Sequence, residues 1–199
     1  MRLPPSQLTI RIIQEEHDCL MAVIRSMKQL ASDMQVAKKA PDLKVFRAML
    51  LYICDYPEKV HHPKEDFYLF SPLRRRTDRL DGVLSELETQ HALGDAMVRR
   101  IEHALNRYEL QGGEAMNTFV NLVMNYAEFY IKHMHLEEDV VLPASVQLFT
   151  AEDWDTVNTA FILNEKSVAG TSHKKEFERL FSLITNITPA PIGLGPAIA

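Results

Sequence analysis

The chain has 199 residues, 46% of them hydrophobic, with 22 Lys and Arg against 27 Asp and Glu for a formal charge of −5. That is enough apolar material for the core of one domain with an appendage, and 7 Gly leave few sites for tight hairpins, which argues against an all-β fold. The acidic balance, with Arg74-Arg75-Arg76 as the one basic cluster, argues against nucleic-acid binding. No run approaches the ~20 apolar residues of a membrane span, and the N-terminal stretch lacks the pattern of a secretory signal. A cytoplasmic protein is expected, in which Cys19 and Cys54 remain thiols.

Apolar residues recur at helical spacing from Leu8 to about Ala37, through Ile10, Ile13, Leu20, Met21, Ile24, Met27 and Leu30, which predicts helix A. Pro41-Asp42 reads as a linker with an N-cap, opening helix B through Val45, Phe46, Met49, Leu50, Ile53 and Cys54 to about Leu69. Pro57 and Pro63 fall inside it; each removes a backbone donor and crowds the preceding turn, so a kink or local break is expected. After a loop over Ser71 to Arg76, Leu80, Leu84, Leu87, Val98, Ile101 and Leu105 line one face of helix C, which Gln111-Gly112-Gly113 ends. Helix D starts near Glu114 and runs through Phe119, Leu122, Tyr126, Phe129, Tyr130, Val140 and Val141 to about Leu148. Thr150 and Asp153 make a capping-box-like start for a short fifth helix. Residues from 172 to about 185 read as a sixth, opened by His173 facing Phe177 and Phe181, and Pro189 to Ala199 as a tail laid over the surface. Four long helices with short connections predict an all-α, antiparallel up-down-up-down four-helix bundle. It spans residues 1–148, followed by a helical extension at 149–187 and a Pro- and Gly-containing tail at 188–199. An apolar face with Leu180, Phe181 and Ile184 suits either capping of the bundle or a homodimer interface.

The histidines carry the chemistry. A random histidine has an acid four residues on about one time in seven, so about one such pair is expected among eight. The sequence holds five: His61/Glu65, His62/Asp66, His91/Asp95, His133/Glu137 and His135/Asp139. Partners at this spacing share a helical face; surface ion pairs are the plain alternative, and the faces separate the two readings. His17 lies on the stripe of Ile13, Leu20 and Ile24, His61 on that of Leu50, Cys54 and Leu69, His91 with Leu84, Leu87 and Val98, and His133 with Tyr126, Phe129 and Val141. His62 shares its stripe with Asp55, Glu58, Lys59 and Asp66 and reads as outward, while His103 and His135 read as solvated. One inward histidine per long helix results, with Glu65 and Glu137 inward one turn beyond His61 and His133. A lone histidine on an apolar face is ordinarily a satisfied core residue, but two ionised Glu buried without compensation would cost several kcal/mol each. Cations or protons must sit beside them, and a metal centre is the simplest supply. Four imidazoles and two carboxylates without thiolate suit iron or manganese better than structural zinc. Those six ligands saturate one octahedral ion; with both Glu bridging two ions and an oxo or hydroxo bridge, ten of twelve positions are filled and room remains for O2, NO or peroxide.

His17, the run His61-His62-Pro63-Lys64-Glu65-Asp66-Phe67-Tyr68-Leu69-Phe70, His91 and the run His133-Met134-His135-Leu136-Glu137-Glu138, in this order and spacing, resemble the hemerythrin-like HHE cation-binding family over about residues 8–148. Trp154 and Ala190-Pro191-Ile192-Gly193 are similar to the C-terminal extension of bacterial, cytoplasmic members. The resemblance implies an antiparallel four-helix bundle around a non-haem di-iron centre, open to manganese or zinc substitution. It implies metal-ligand roles for His17, His61, Glu65, His91, His133 and Glu137, and a diatomic gas or peroxide as the small-molecule partner, with neither nucleic acid nor membrane. Two departures follow from the residues. Oxygen carriers have a second helix-C histidine one turn from the first, where this chain has Leu87 and Asp95; water, Asp95 or a rotated His62 are the candidate replacements. Carriers also place the last carboxylate five residues after its histidine, at Glu138 here, so Glu137 is a preference over Glu138. An iron-holding storage or structural module without turnover is the alternative reading, and a metal-free helical interaction protein the third. Tyr126 and Tyr130 are expected as core, with hydrogen bonding near the metals as the alternative, and Cys54 as core in preference to a redox partner.

Overall fold

The structure, a computed structural model, describes residues 3–37, 39–163 and 173–197; the expected orientation of the His173 side chain, residue 172 and the last two residues of the tail fall outside it. Among the described residues the elements are all helical, and an isolated bridge between Pro189 and Gly195 forms no strand.

Helix α1 (Pro5–Ala37) buries Ile13, His17, Leu20, Ile24, Met27 and Met34, one stripe at the 3.6-residue period. Asp42 precedes α2 (Lys44–Asp55), its carboxylate accepting from the Lys44 N–H at 3.0 Å. Beyond Asp55 the helix widens instead of breaking. A π turn (Pro57–His61) leads into α3 (His62–Lys64), a second π turn (Glu65–Phe70) and α4 (Ser71–Arg76). Pro57 and Pro63 lack the N–H that would close the ordinary ring, and the His61 N–H reaches back five residues to the Tyr56 carbonyl at 3.1 Å. The loop expected over Ser71 to Arg76 is therefore helical. Pro72 occupies its first turn, where a missing donor costs nothing, and Arg74 and Arg76 are held by Glu88 at 2.7 Å and Asp153 at 2.6 Å.

Helix α5 (Asp81–Gln111) ends at Gly112, whose φ of 71° suits only a residue without a side chain. Helix D is two helices, α6 (Gly113–Leu136) and α7 (Leu142–Leu148), joined by a third π turn (Glu137–Val141). Thr150 and Asp153 cap α8 (Ala151–Leu163) reciprocally: the Asp153 carboxylate accepts from the Thr150 N–H at 2.8 Å and the Thr150 hydroxyl from the Asp153 N–H at 3.3 Å. Helix α9 (His173–Ile187) buries Phe177 and Ile184 against the core, with Phe177 edge-on to Tyr52, so its apolar face covers the chain's own interior. The following segment folds back, with the Leu194 and Gly195 N–H groups donating to Thr185 and Thr188 at 2.9 and 2.8 Å.

Helix α1 packs on α2, α6 and α8, and α5 on α2 and α6. The interior divides into two apolar clusters, one holding Leu20, Met27, Phe46, Val98, Phe119 and Tyr130, the other Ile13, Leu87, Val141, Trp154 and Phe161. In the first, Phe46 and Phe119 meet edge-to-face at 5.0 Å, both fully buried. Phe46→Ala is expected to cost about 3–5 kcal/mol, measured as a lowered urea midpoint with unchanged metal uptake.

Candidate metal centre

Along three helices the side chains change from one apolar cluster to the other through a polar layer. The order is Ile13, His17, Leu20 on α1; Leu87, His91, Val98 on α5; and Tyr130, His133, Glu137, Val141 across α6 and the third π turn. The widened stretch after α2 adds His61, His62 and Glu65, and all seven polar residues are at most 7% exposed.

The imidazoles gather in two groups. Nε2 of His17 lies 3.1 Å from Nε2 of His61, and Nε2 of His91 lies 3.2 Å from Nε2 of His133. Their outward nitrogens are already committed as donors: His17 Nδ1–H to Glu138 at 2.9 Å, His61 to Glu16 at 2.6 Å, His91 to Asp66 at 2.8 Å and His133 to the Gln90 amide oxygen at 2.8 Å. Fixing the proton on Nδ1 leaves the Nε2 lone pairs pointing inward. Two bare lone pairs this close repel, so a proton or a metal ion must lie between them.

Glu65 and Glu137 turn one oxygen to each group. Glu65 Oε1 is 3.2 Å from His61 Nε2 and 3.7 Å from His17 Nε2, while Oε2 is 3.7 Å from His91 Nε2. Glu137 Oε2 is 3.4 Å from His17 Nε2, and Oε1 is 3.5 Å from His91 and 3.4 Å from His133. None of these four buried oxygens accepts a hydrogen bond, which is the environment a cation satisfies. Among the described residues three overlapping sets could hold a metal, His17-His61-Glu65, His62-His91-His133 and Glu65-His91-Glu137, each with its ligand atoms within 4.8 Å of one another.

Protons serve as the cations in the metal-free chain. Burial alone would depress the basicity of His17, His61 and His91, but the surrounding carboxylates, Glu138 and Glu65 at His17, Glu65 and Glu16 at His61, Asp66 and Glu137 at His91, raise them to about 9, about 10 and about 10. Glu65, which burial would push up, is held well below the usual carboxylate range by His61 and His17. His62 and His133 are lowered by burial.

The six residues singled out in the sequence thus share one layer, and a seventh joins them. His62, read as outward, is buried, 4.1 Å from the His91 ring and nearly parallel to it. Asp95 takes no part: it pairs with Arg99 at 2.6 Å outside the layer. Glu137 lies in the layer, whereas Glu138 sits behind it as the acceptor for His17. His103 and His135 are exposed, and both cysteines are free. Tyr130 is more than core filler: its ring lies 5.3 Å from that of His133 and 5.7 Å from that of His62, and its hydroxyl donates to Glu58. The extension reaches the layer too, with Phe161 of α8 6.2 Å from the His61 ring and the Lys64 ammonium 4.7 Å over the Phe161 ring. Glu138→Ala is expected to weaken metal binding roughly 10- to 100-fold without changing the number of ions bound, measured by competition with a chromophoric chelator.

A sequence model of the hemerythrin HHE cation-binding domain matches residues 8–145. No curated protein matches the chain.

Proposed function

The chain belongs to the hemerythrin HHE cation-binding family, and from that membership we propose that it holds two iron ions, one on His17 and His61, the other on His62, His91 and His133, with Glu65 and Glu137 bridging. The observation that carries this reading is the pair of buried carboxylates, each turning one oxygen to either histidine group and none of them hydrogen-bonded. The helices are read as an antiparallel up-down-up-down bundle of residues 1–148 with an extension at 149–187, and the protein as cytoplasmic. No helix among the described residues is long and apolar enough to cross a membrane.

Five imidazoles and four carboxylate oxygens would hold the two ions, with three imidazoles on the His62–His91–His133 side and two on the His17–His61 side. Ferrous iron held by these residues would supply electrons and an open position to O2, NO or peroxide. The protein's own groups set the conditions. Glu65 and Glu137 balance charge, while Glu138, Glu16 and Asp66 hold the Nδ1 protons and lend electron density to the rings. The two apolar clusters and Phe161 keep bulk water away.

Anaerobically reduced, iron-loaded protein mixed with O2, NO or peroxide is expected to change its near-ultraviolet and visible spectrum with at least one of the three. A metal-holding module without turnover is the second reading, favoured by the depth of the layer; it expects bound iron and no change with any of them. A chain that takes up no iron contradicts both.

A further inference from the structure

The two-ion reading asks His62 to act as a ligand, yet His62 is the one imidazole of the layer whose Nδ1 is buried without a hydrogen bond. We propose that Glu58 is a positioning residue for the centre, receiving the Nδ1–H of His62 and so turning this fifth imidazole into a metal ligand. Four imidazoles have Nδ1 held at 2.6 to 2.9 Å by an oxygen acceptor. Glu58 Oε2 faces the fifth at 3.5 Å, one helical turn back on the same strip of chain. The Glu58 side chain is only 6% exposed, so its carboxylate needs donors from the protein. Its other oxygen accepts from the Tyr130 hydroxyl, a donor on α6. The space for both groups comes from α5: a Cβ at Gly94 would collide with the Tyr130 hydroxyl and with the Glu58 carboxylate. Three elements therefore converge on one carboxylate that has a donor on one side and a His62 nitrogen lacking an acceptor on the other.

Closing 3.5 Å to a hydrogen bond requires a small turn of the His62 ring, which stays in contact with the His91 ring beneath it. It would give His62 the fixed tautomer that the other four already have, with Nε2 free for metal. Without it, the ion beside His91 and His133 keeps two imidazoles instead of three.

The test is titration of metal-free protein with cobalt(II), followed by absorbance, reading the first and second equivalents separately. Wild type is expected to take up two equivalents. Glu58→Leu is expected to keep the first and bind the second at least about tenfold more weakly, while Glu58→Gln, which retains an acceptor oxygen at the same reach, restores it to within about threefold. Gly94→Ala, which touches no ligand, should weaken the second equivalent alone by displacing Glu58. Should Glu58→Leu fail to fold, as judged by circular dichroism, Gly94→Ala and Tyr130→Phe are read in the same way. The proposal is overturned if the second equivalent binds these variants as tightly as wild type, or if both equivalents weaken alike. A wild type that takes up one equivalent or none overturns the two-ion reading instead, and this inference with it.

Discussion

Glu65→Ala is expected to abolish uptake of both ions, from two per chain to less than about one tenth of that, with helix content by circular dichroism unchanged. The expectation follows from where the two oxygens point: Oε1 toward His61 and His17, Oε2 toward His91. On the two-ion reading, removing the carboxylate would take a ligand from each ion and leave buried imidazoles crowded together without the negative charge that a dication pair needs. His62→Leu is the contrasting variant, since it removes an imidazole from only the His91–His133 side; one ion is expected to remain. Metal analysis of the two proteins side by side separates a bridging role for Glu65 from a general loss of structure. A full metal complement in Glu65→Ala contradicts the bridging assignment.

The second large effect is one of pH. In the metal-free chain the His17–His61 pair shares one proton between its Nε2 atoms and His91 holds another, both favoured by the surrounding carboxylates, and a metal ion must displace them. Loading with zinc or cobalt at pH 7 should therefore release about two protons per chain. The apparent affinity should rise by up to about a hundredfold between pH 7 and pH 8, flattening above about pH 10. Stability moves the other way. Groups with a folded-state value raised above the unfolded ~6.5 stabilise the fold fully at lower pH, and that contribution is lost as pH rises through 9 to 10. Glu65, Glu16 and Glu138 are lowered; their contribution is present above the usual carboxylate value and is lost on acidification. The metal-free protein should therefore melt highest near neutrality and progressively lower from about pH 7 to 10, while the loaded protein holds its melting temperature over that range. Proton release in weak buffer with a pH indicator checks the first statement, and thermal scans check the second. Loading without proton release contradicts the account of the metal-free layer.

Most of this layer is legible in sequence because straight helices project spacing onto faces faithfully. His17 among Ile13, Leu20 and Ile24 had to point inward along an unbroken α-helix, and α1 runs unbroken from Pro5 to Ala37. The same rule fails for His62 for an identifiable reason. Assigning it to the stripe of Asp55, Glu58, Lys59 and Asp66 assumes 100° per residue, whereas π turns on either side of α3 turn each residue through a smaller angle. The whole strip is rotated, so Glu58 and His62 become buried and Asp66 comes within reach of His91. Pro57 and Pro63 mark the place, and they predict a disturbance; what they do not specify is whether the helix breaks or widens. Pro143, in the first turn of α7, plays the same part after Glu137. The outer acceptors were illegible for another reason. Glu16, Gln90 and Glu138 sit next to inward residues on otherwise polar faces, and only the packing of neighbouring helices decides that they meet an Nδ1 rather than water.

Iron per chain in protein from iron-replete cells tests whether one histidine–carboxylate layer holds two iron ions, with Mössbauer spectra taken before and after exposure of the reduced protein to O2. Two irons per chain are expected, in two inequivalent ferrous environments that convert together to coupled ferric ones. One iron or none per chain, or two that behave as isolated ions, would contradict the two-ion reading.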